Sequence, residues 1–357
     1  MSAREPSWWY SDGADGWVPR VLAPAGIIYG RLTARRMQRA STYRAPIPVI
    51  AVGNFTAGGT GKTPFVRVVA EALRGLGHKP VVLTRGYGGR TDGPHWVDAH
   101  DTALTVGDEP LMLSNNIAVM VARDRVAGAQ VIDQGGASTP DATVIVMDDG
   151  LQNPSLAKDL TFAVVDAARG FGNCRCIPAG PLRAPLIVQA PRVDALVLNR
   201  GDGRTPLAPS VEAMLQMFSR PMMSGVVVPG GDLAWLKGTR VIAYAGIGVP
   251  DRFFATVEAA GGVICRRVAF GDHHCFTDSD AVRLRELART ENATLVTTEK
   301  DIVRLRGSGG ALAKLQAASQ MLPIILALDE TSSTALQTLL ASRVPLTARL
   351  RLHKAGD

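Results

Sequence analysis

The chain has 357 residues, of which 46% are hydrophobic and 20% charged, and its net charge is +7. That balance excludes a disordered polymer, four cysteines are too few for a disulfide scaffold, and no stretch reaches the roughly 18 apolar residues of a membrane-spanning helix. The length suits two domains, and the positive charge predicts an anionic partner: a nucleotide, a nucleic acid or an acidic lipid.

Residues 1–45 differ in character from the rest. Trp8, Trp9, Tyr10 and Trp17 cluster near the start, where Glu5, Asp12, Asp15 and Arg20 interrupt any secretory signal core. Residues 21–29 are apolar but short. Arg31, Arg35, Arg36 and Arg39 then recur at a spacing that gives them one helical face. Interfacial aromatics, a short apolar stretch and a basic face describe a segment lying on an anionic membrane surface. The alternative is a first helix packed on the protein with a solvated basic side.

Val49-Ile50-Ala51-Val52 reads as a buried parallel strand. Thr56, Ala57, Gly58, Gly59, Thr60, Gly61, Lys62 and Thr63 follow, and residues 65–73 read as a helix. Strand, glycine loop, Gly-Lys-Thr and helix are the context of a phosphate-binding loop. Glycines let backbone N–H groups face phosphate oxygens; Lys62 reaches the β- and γ-phosphates, and the Thr63 hydroxyl suits Mg²⁺. The common pattern has glycine where this chain has Thr56, so Gly58 and Gly59 supply the flexibility.

A second strand, 79–84, runs into Arg85-Gly86-Tyr87-Gly88-Gly89-Arg90. Ligands bind at such carboxyl ends of strands, where Arg85 and Arg90 suit phosphate and Tyr87 suits a sugar or an acyl chain; a plain surface turn is the alternative. Asp108 and Glu109 lie in a Gly/Pro-bounded loop, 106–110. They are either solvated or capping groups, or a base and a metal ligand. An apolar run ending in Asp148 and Asp149 is where a phosphate-loop enzyme places its Mg²⁺-organising acid. Sequence does not assign which aspartate meets the metal.

Strands at 160–166 and 193–199 complete an alternating pattern. It predicts an α/β fold, a parallel sheet with helices on both faces of the P-loop NTPase type over 46–200. Residues 201–237 read as a linker, 238–345 as a smaller C-terminal α/β domain, and 346–357 as a tail. In that second domain 294–301 reads as a strand ending in charge, and Asp272-His273-His274 as a loop. His273 is either a hydrogen-bonded surface group or a partner for a catalytic carboxylate. Cys174 and Cys176 form C-x-C, and Cys265 and Cys275 lie near His273 and His274. No C-x-x-C pair is present, so the spacing favours free thiols over zinc.

Taken in order, residues 54–64, Arg85-Gly86-Tyr87-Gly88, Gly107-Asp108-Glu109-Pro110, Asp148-Asp149-Gly150-Leu151-Gln152, Pro178-Ala179-Gly180-Pro181-Leu182-Arg183, Asp272-His273-His274 and Thr298-Glu299-Lys300-Asp301 form a specific set. Over about residues 20–330 the chain resembles the tetraacyldisaccharide 4′-kinase family, the lipid A 4′-kinases of Gram-negative bacteria. The resemblance implies ATP and Mg²⁺ as cofactors and phosphorylation of the 4′-hydroxyl of an acylated glucosamine disaccharide 1-phosphate to give lipid IVA. It implies a site on the cytoplasmic face of the inner membrane, with the amino-terminal helix in the lipid; no obligate protein partner is evident in the sequence.

By the same resemblance Asp108 is the base and His273 its partner. Thr63, Glu109, Asp148 and Asp149 share the Mg²⁺ shell, and Arg85, Tyr87, Gln152 and Arg183 lie near the lipid headgroup. The family's usual histidine after Asp-Asp-Gly-Leu-Gln is Asn153 here, which retains a donor and an acceptor but cannot titrate. Two other readings compete. A P-loop switch or maturation NTPase shares the Gly-Lys-Thr loop but opens it with a lysine that this chain lacks. A nucleic-acid binder would use the positive charge, yet the basic residues lack an aromatic-interleaved or helix-turn-helix arrangement.

Overall fold

The computed structural model describes residues 6–10, 16–135, 140–203 and 205–344. The predicted tail lies outside these residues, as do Glu5, Asp12 and Asp15. Helix α1 (Trp17–Met37) precedes strand β1 (Val49–Gly53) and helix α2 (Lys62–Gly75). Next come β2 (Pro80–Thr84), β3 (His95–Trp96), α3 (Ala103–Val106), α4 (Asp108–Leu113), β4 (Ala118–Val121) and α5 (Arg125–Gln134). Strands β5 (Val144–Asp148) and β6 (Leu160–Asp166), helix α6 (Leu186–Gln189) and β7 (Ala195–Asn199) follow. Then α7 (Pro209–Met217) and β8 (Met222–Pro229) lead to β9 (Arg240–Ala245), α8 (Pro250–Ala259), β10 (Val263–Ala269) and α9 (Asp278–Glu291). The chain continues through β11 (Thr294–Thr298), α10 (Glu299–Leu305), α11 (Gly310–Ala318), β12 (Ser319–Leu322), β13 (Ile324–Leu328) and α12 (Glu330–Arg343).

Among the described residues nine strands form one sheet in the order β13-β8-β7-β6-β1-β5-β2-β4-β3, and four form a second in the order β10-β9-β11-β12. Every residue of β1, β2, β5, β6 and β7 is buried, as continuous apolar sequence in a parallel sheet requires. The edge strands β3 and β13 run antiparallel to their neighbours. One face of the large sheet packs Val52, Phe162 and Val164 against Phe65 and Val69 of α2 and Leu336 and Leu340 of α12. The other packs Ala51, Ile145 and Met147 against Ala129 and Ile132 of α5. The small sheet is parallel throughout and is also covered on both faces.

Three expectations are corrected here. Residues 201–237 are more than a linker: they contain α7 and β8, and β8 pairs in parallel with β7 in the large sheet. Most of their glycines and prolines lie between or at the ends of these elements, while Val226 to Val228 provide a strand paired on its other side with β13. The C-terminal part likewise does not stay in the second unit, because β13 and α12 return to the large sheet and α2. Finally, the loop at 106–110 is two helix ends joined at Gly107, whose φ of 94° is left-handed backbone that favours glycine.

Candidate active site

Strand register brings the site together. In the parallel pair β1–β5, Val52 lies opposite Asp148, so the phosphate loop and the Asp148-Asp149 turn leave the sheet side by side. Strand β2 borders β5 with Leu83 opposite Met147, which sets the Arg85–Arg90 loop next to that turn. Binding loops at adjacent carboxyl ends are the usual arrangement of open α/β sheets.

The phosphate loop turns at Gly61, with φ of 88°, and α2 begins at Lys62 with its free N–H groups facing the loop. Asn199 Nδ2 donates to the Thr60 carbonyl at 3.0 Å, and Arg183 Nε donates to the Thr56 carbonyl at 3.0 Å. Thr56 itself makes an antiparallel bridge with Leu182. Extended backbone suits a β-branched residue, which explains threonine where other phosphate loops use glycine. The Thr60 hydroxyl is buried without a hydrogen-bond partner, and Thr63 is buried beside it at the helix start.

The two aspartates have distinct environments. Asp149 has φ of 54°, a conformation costly outside glycine and frequent at functional sites. Both its oxygens accept from Arg183 Nη1 at 2.7 Å, and Lys62 Nζ lies 3.6 Å from Oδ1. Burial pushes the Asp149 carboxyl up, but Lys62 and Arg183 outweigh it and hold it well below the usual range. Asp148 accepts from Thr84 Oγ1 at 3.3 Å, while its Oδ1 is buried with no partner in the protein. Burial first, then the nearby Glu109 charge, raises its pKa to about 6 against the pull of Lys62. Beneath them Arg125 is buried, with Nη2 3.4 Å from the Asp148 carbonyl, and burial lowers its pKa to about 10.

This donor set fits a divalent cation. An orphaned carboxylate oxygen, a buried hydroxyl and an excess of nearby carboxylates all gain from one. Among the described residues no three His, Cys, Asp or Glu side chains form a ready cage. Mg²⁺ rarely needs one, since it is held by one or two carboxylates together with phosphates and water. The four cysteines are free, and among the described residues they form no zinc site.

The partners of Asp108 and Glu109, both in α4 of the large-sheet lobe, come from the small sheet. The loops after β9 and β10 and helix α10 after β11 face the carboxyl edge of the large sheet. Asp108, 5% exposed, accepts at Oδ2 from Arg304 Nε at 3.1 Å and Nη2 at 2.5 Å, with His273 Nδ1 at 3.1 Å. Burial raises the Asp108 carboxyl, but the His273 hydrogen bond and the charges of Lys300 and Arg304 hold it well below its ordinary value. The hydrogen bond to Asp108 correspondingly raises His273, whose φ of 55° is also left-handed. Glu109 is turned onto Lys300 Nζ at 2.7 Å, and the Lys300 charge lowers its pKa. Arg67 of α2 grips Glu299 at 2.7 and 2.5 Å, and Arg252 of α8 meets the buried Asp166 at 2.9 Å. Val303 of α10 joins Val106, Leu111, Met112 and Val121 in a small shared core.

Residues 294–301 are therefore a strand only to Thr298. Thr298 accepts the Asp301 N–H at 3.2 Å as the cap of α10, so Glu299, Lys300 and Asp301 form a helical first turn. The Thr-Glu-Lys-Asp spacing carried that capping signal. Arg304, Arg67, Arg125 and Asn199 are further site residues, and nothing in their local sequence marks them.

Of the residues expected near a headgroup, Arg85 and Tyr87 are exposed, and the Tyr87 ring is edge-on to His273 at 6.2 Å. Gln152 and Arg183 are half-buried, and Arg183 is the residue already described on Asp149 and the Thr56 carbonyl. Gln152 Nε2 donates to the Asn54 carbonyl and to Gln189 Oε1, both at 2.7 Å. Asn153 Oδ1 accepts the Ser155 N–H at 2.8 Å, a turn-forming use for which asparagine is well suited.

Helix α1 lies on the segment 176–185, at Cys176, Ala179 and Pro185. Its buried face carries Pro19, Gly26, Gly30 and Met37, and Gly30 permits close contact with Cys176 and Pro185. The opposite face carries Trp17, Val21, Ile28 and Leu32, each at least 60% exposed, together with the exposed Arg31 and Arg35. Among the described residues no helix is long and apolar enough to cross a membrane.

The tetraacyldisaccharide-1-P 4′-kinase family model matches residues 18–344. A tetraacyldisaccharide 4′-kinase of Bradyrhizobium diazoefficiens is 49% identical over 309 residues, covering 86% of this chain and 88% of its own. One from Nitrobacter winogradskyi is 44% identical over 350 residues, covering 97% and 99%. A crystal structure of LpxK from Aquifex aeolicus, described as an apo form in complex with ATP, is similar with a TM-score of 0.72. It covers 92% of this chain and 99% of its own at 23% identity, a likeness of fold. The chain belongs to the tetraacyldisaccharide-1-P 4′-kinase family.

Proposed function

We propose that this kinase transfers the γ-phosphate of ATP to the 4′-hydroxyl of a tetraacylated glucosamine disaccharide 1-phosphate, yielding lipid IVA. The observation that carries this reading is the opposition of a phosphate loop and an Asp108–His273 pair across two facing sheet edges. The backbone of residues 56–63 cradles the phosphates, and Lys62 offsets charge on the β- and γ-oxygens. Asp108 takes the proton of the 4′-hydroxyl as its oxygen bonds to phosphorus and ADP leaves. His273 orients Asp108, and because the two come from different lobes, closure completes the site. Thr63 and Asp148 would hold Mg²⁺, with Glu109 and Asp149 flanking it. When bound, Mg²⁺ neutralises charge on the phosphates. Arg85 and Tyr87 face the headgroup, and the outward face of α1 lies in the cytoplasmic leaflet of the inner membrane, anchored by Trp17 and its arginines.

The test is γ-phosphate transfer to the disaccharide monophosphate lipid in detergent micelles, stopped by chelator and restored by Mg²⁺. Equal ATP consumption with and without lipid would favour an acceptor-free NTPase and remove the kinase reading. Replacing Trp17, Val21 and Leu32 with glutamate should release the protein from anionic vesicles; unchanged vesicle binding would remove the role of α1.

A further inference from the structure

Asp108 has more donors than a reacting base can use. Its Oδ1 accepts the Glu109 N–H at 2.9 Å. Its Oδ2 faces both Arg304 nitrogens, at 3.1 and 2.5 Å, and His273 Nδ1 at 3.1 Å. A carboxylate oxygen has two lone pairs, so a sugar hydroxyl approaching Oδ2 must displace one of these donors. The Glu109 N–H, fixed in the first turn of α4, takes one of the two lone pairs of Oδ1, so the crowding is at Oδ2. His273 Nδ1 lies 3.3 Å from Arg304 Nη2 as well. It donates to Asp108 or accepts from Arg304, but not both at once.

Arg304 is the donor able to leave. Its Nη1 holds Asp301 Oδ1 at 2.8 Å and the Gly246 carbonyl at 2.6 Å. Those two anchors belong to the small lobe and do not involve Asp108. Asp301, fully buried, is itself fixed by the Gly246 N–H at 3.1 Å and Thr298 Oγ1 at 2.7 Å. The guanidinium can therefore give up Asp108 and remain anchored, and its departure frees His273 to donate to Asp108 alone. A planar fork with several donors makes this partial release possible; a lysine, with a single nitrogen, does not reproduce it.

We infer that Arg304 is a positioning residue that keeps Asp108 in a non-reacting ion pair until the acceptor hydroxyl displaces it, and so suppresses ATP hydrolysis by water. In the suppressed reaction a water proton would pass to Asp108, the water oxygen would bond to the γ-phosphorus, and the bond to ADP would break, giving ADP and phosphate. The inference rests on the assignment of Asp108 as base.

Arg304→Lys and Arg304→Gln are compared with the parent for lipid-independent ATP hydrolysis, lipid phosphorylation and thermal melting. The expected result is a ratio of hydrolysis to transfer raised about tenfold, a fraction of the effect of a general base. Adding Asp108→Asn to either variant should abolish the excess hydrolysis. Hydrolysis that is unchanged, or that falls in step with transfer in a folded variant, overturns the inference. Parent protein provides a second measurement if both variants fail to fold. A 4′-deoxy acceptor has no hydroxyl to displace Arg304 and should leave hydrolysis at its basal rate; several-fold stimulation overturns the inference. Undiminished phosphorylation by Asp108→Asn alone would instead remove the base assignment on which it stands.

Discussion

Around the phosphate loop, the bracing side chains Asn199, Arg183 and Asp149 all come from the large sheet and its loops, whereas around Asp108 the gripping side chains, His273 and Arg304, come from the small one. The first corner is fixed by strand register: once β7, β6, β1 and β5 are in place side by side, their carboxyl-end loops converge. The second depends on two lobes meeting through ion pairs and the small apolar patch at Val303. Nucleotide binding is thus built into one folding unit, while the acceptor chemistry is conditional on docking. An enzyme that must avoid transferring phosphate to water gains from that division.

The two corners can be broken separately. Lys62→Met acts on the phosphate corner alone and should lower transfer by about 10³-fold, together with ATP affinity, as loss of a charged phosphate contact does. Near-parental turnover would remove Lys62 from the phosphate role. Glu299→Gln acts on the docking alone, since it leaves Arg67 partly buried without its carboxylate. Breaking such a pair should cost about 2–3 kcal/mol of stability, read by denaturant unfolding and by faster hydrogen exchange in α10. ATP affinity should hold, and its loss in parallel would show that the corners are not independent. The smallest effect sharpens the comparison from the phosphate side. Asp148→Asn removes a buried carboxylate with an unpartnered oxygen and should stabilise the metal-free protein by about 1 kcal/mol while transfer falls. A lower melting temperature would contradict the account of Asp148 as held at a cost for function.

The same division governs what the sequence reveals. The strand at Val49–Gly53, the glycine loop and the paired aspartates are readable because neighbouring residues carry the signal: apolar run, then turn, then charge. Asp108 and His273 stand far apart in the chain, and they are assigned through resemblance because no local pattern links them. Arg304 is invisible for the same reason: an arginine inside a helix looks solvated until the opposite lobe is in place, where it is 8% exposed. Thr298 to Asp301 is misread as strand because its apolar approach is a strand and the helix begins only at the charges. The linker reading of 201–237 fails because glycine and proline mark turns whether the segment between them pairs or not. Asp148 and Asp149 are equal in sequence and differ only by environment: Asp149 is gripped by Arg183, and Asp148 is buried with the Glu109 charge nearby.

The central claim is that Asp108 acts in the chemical step and not in binding ATP. Single-turnover phosphate transfer by Asp108→Asn, with acceptor saturating and ATP binding measured alongside, tests it most directly. The expected result is transfer slowed by about 10²–10⁴-fold, the range of a general base, with ATP affinity unchanged. Transfer at the parental rate, or an equal loss of ATP affinity, would contradict it.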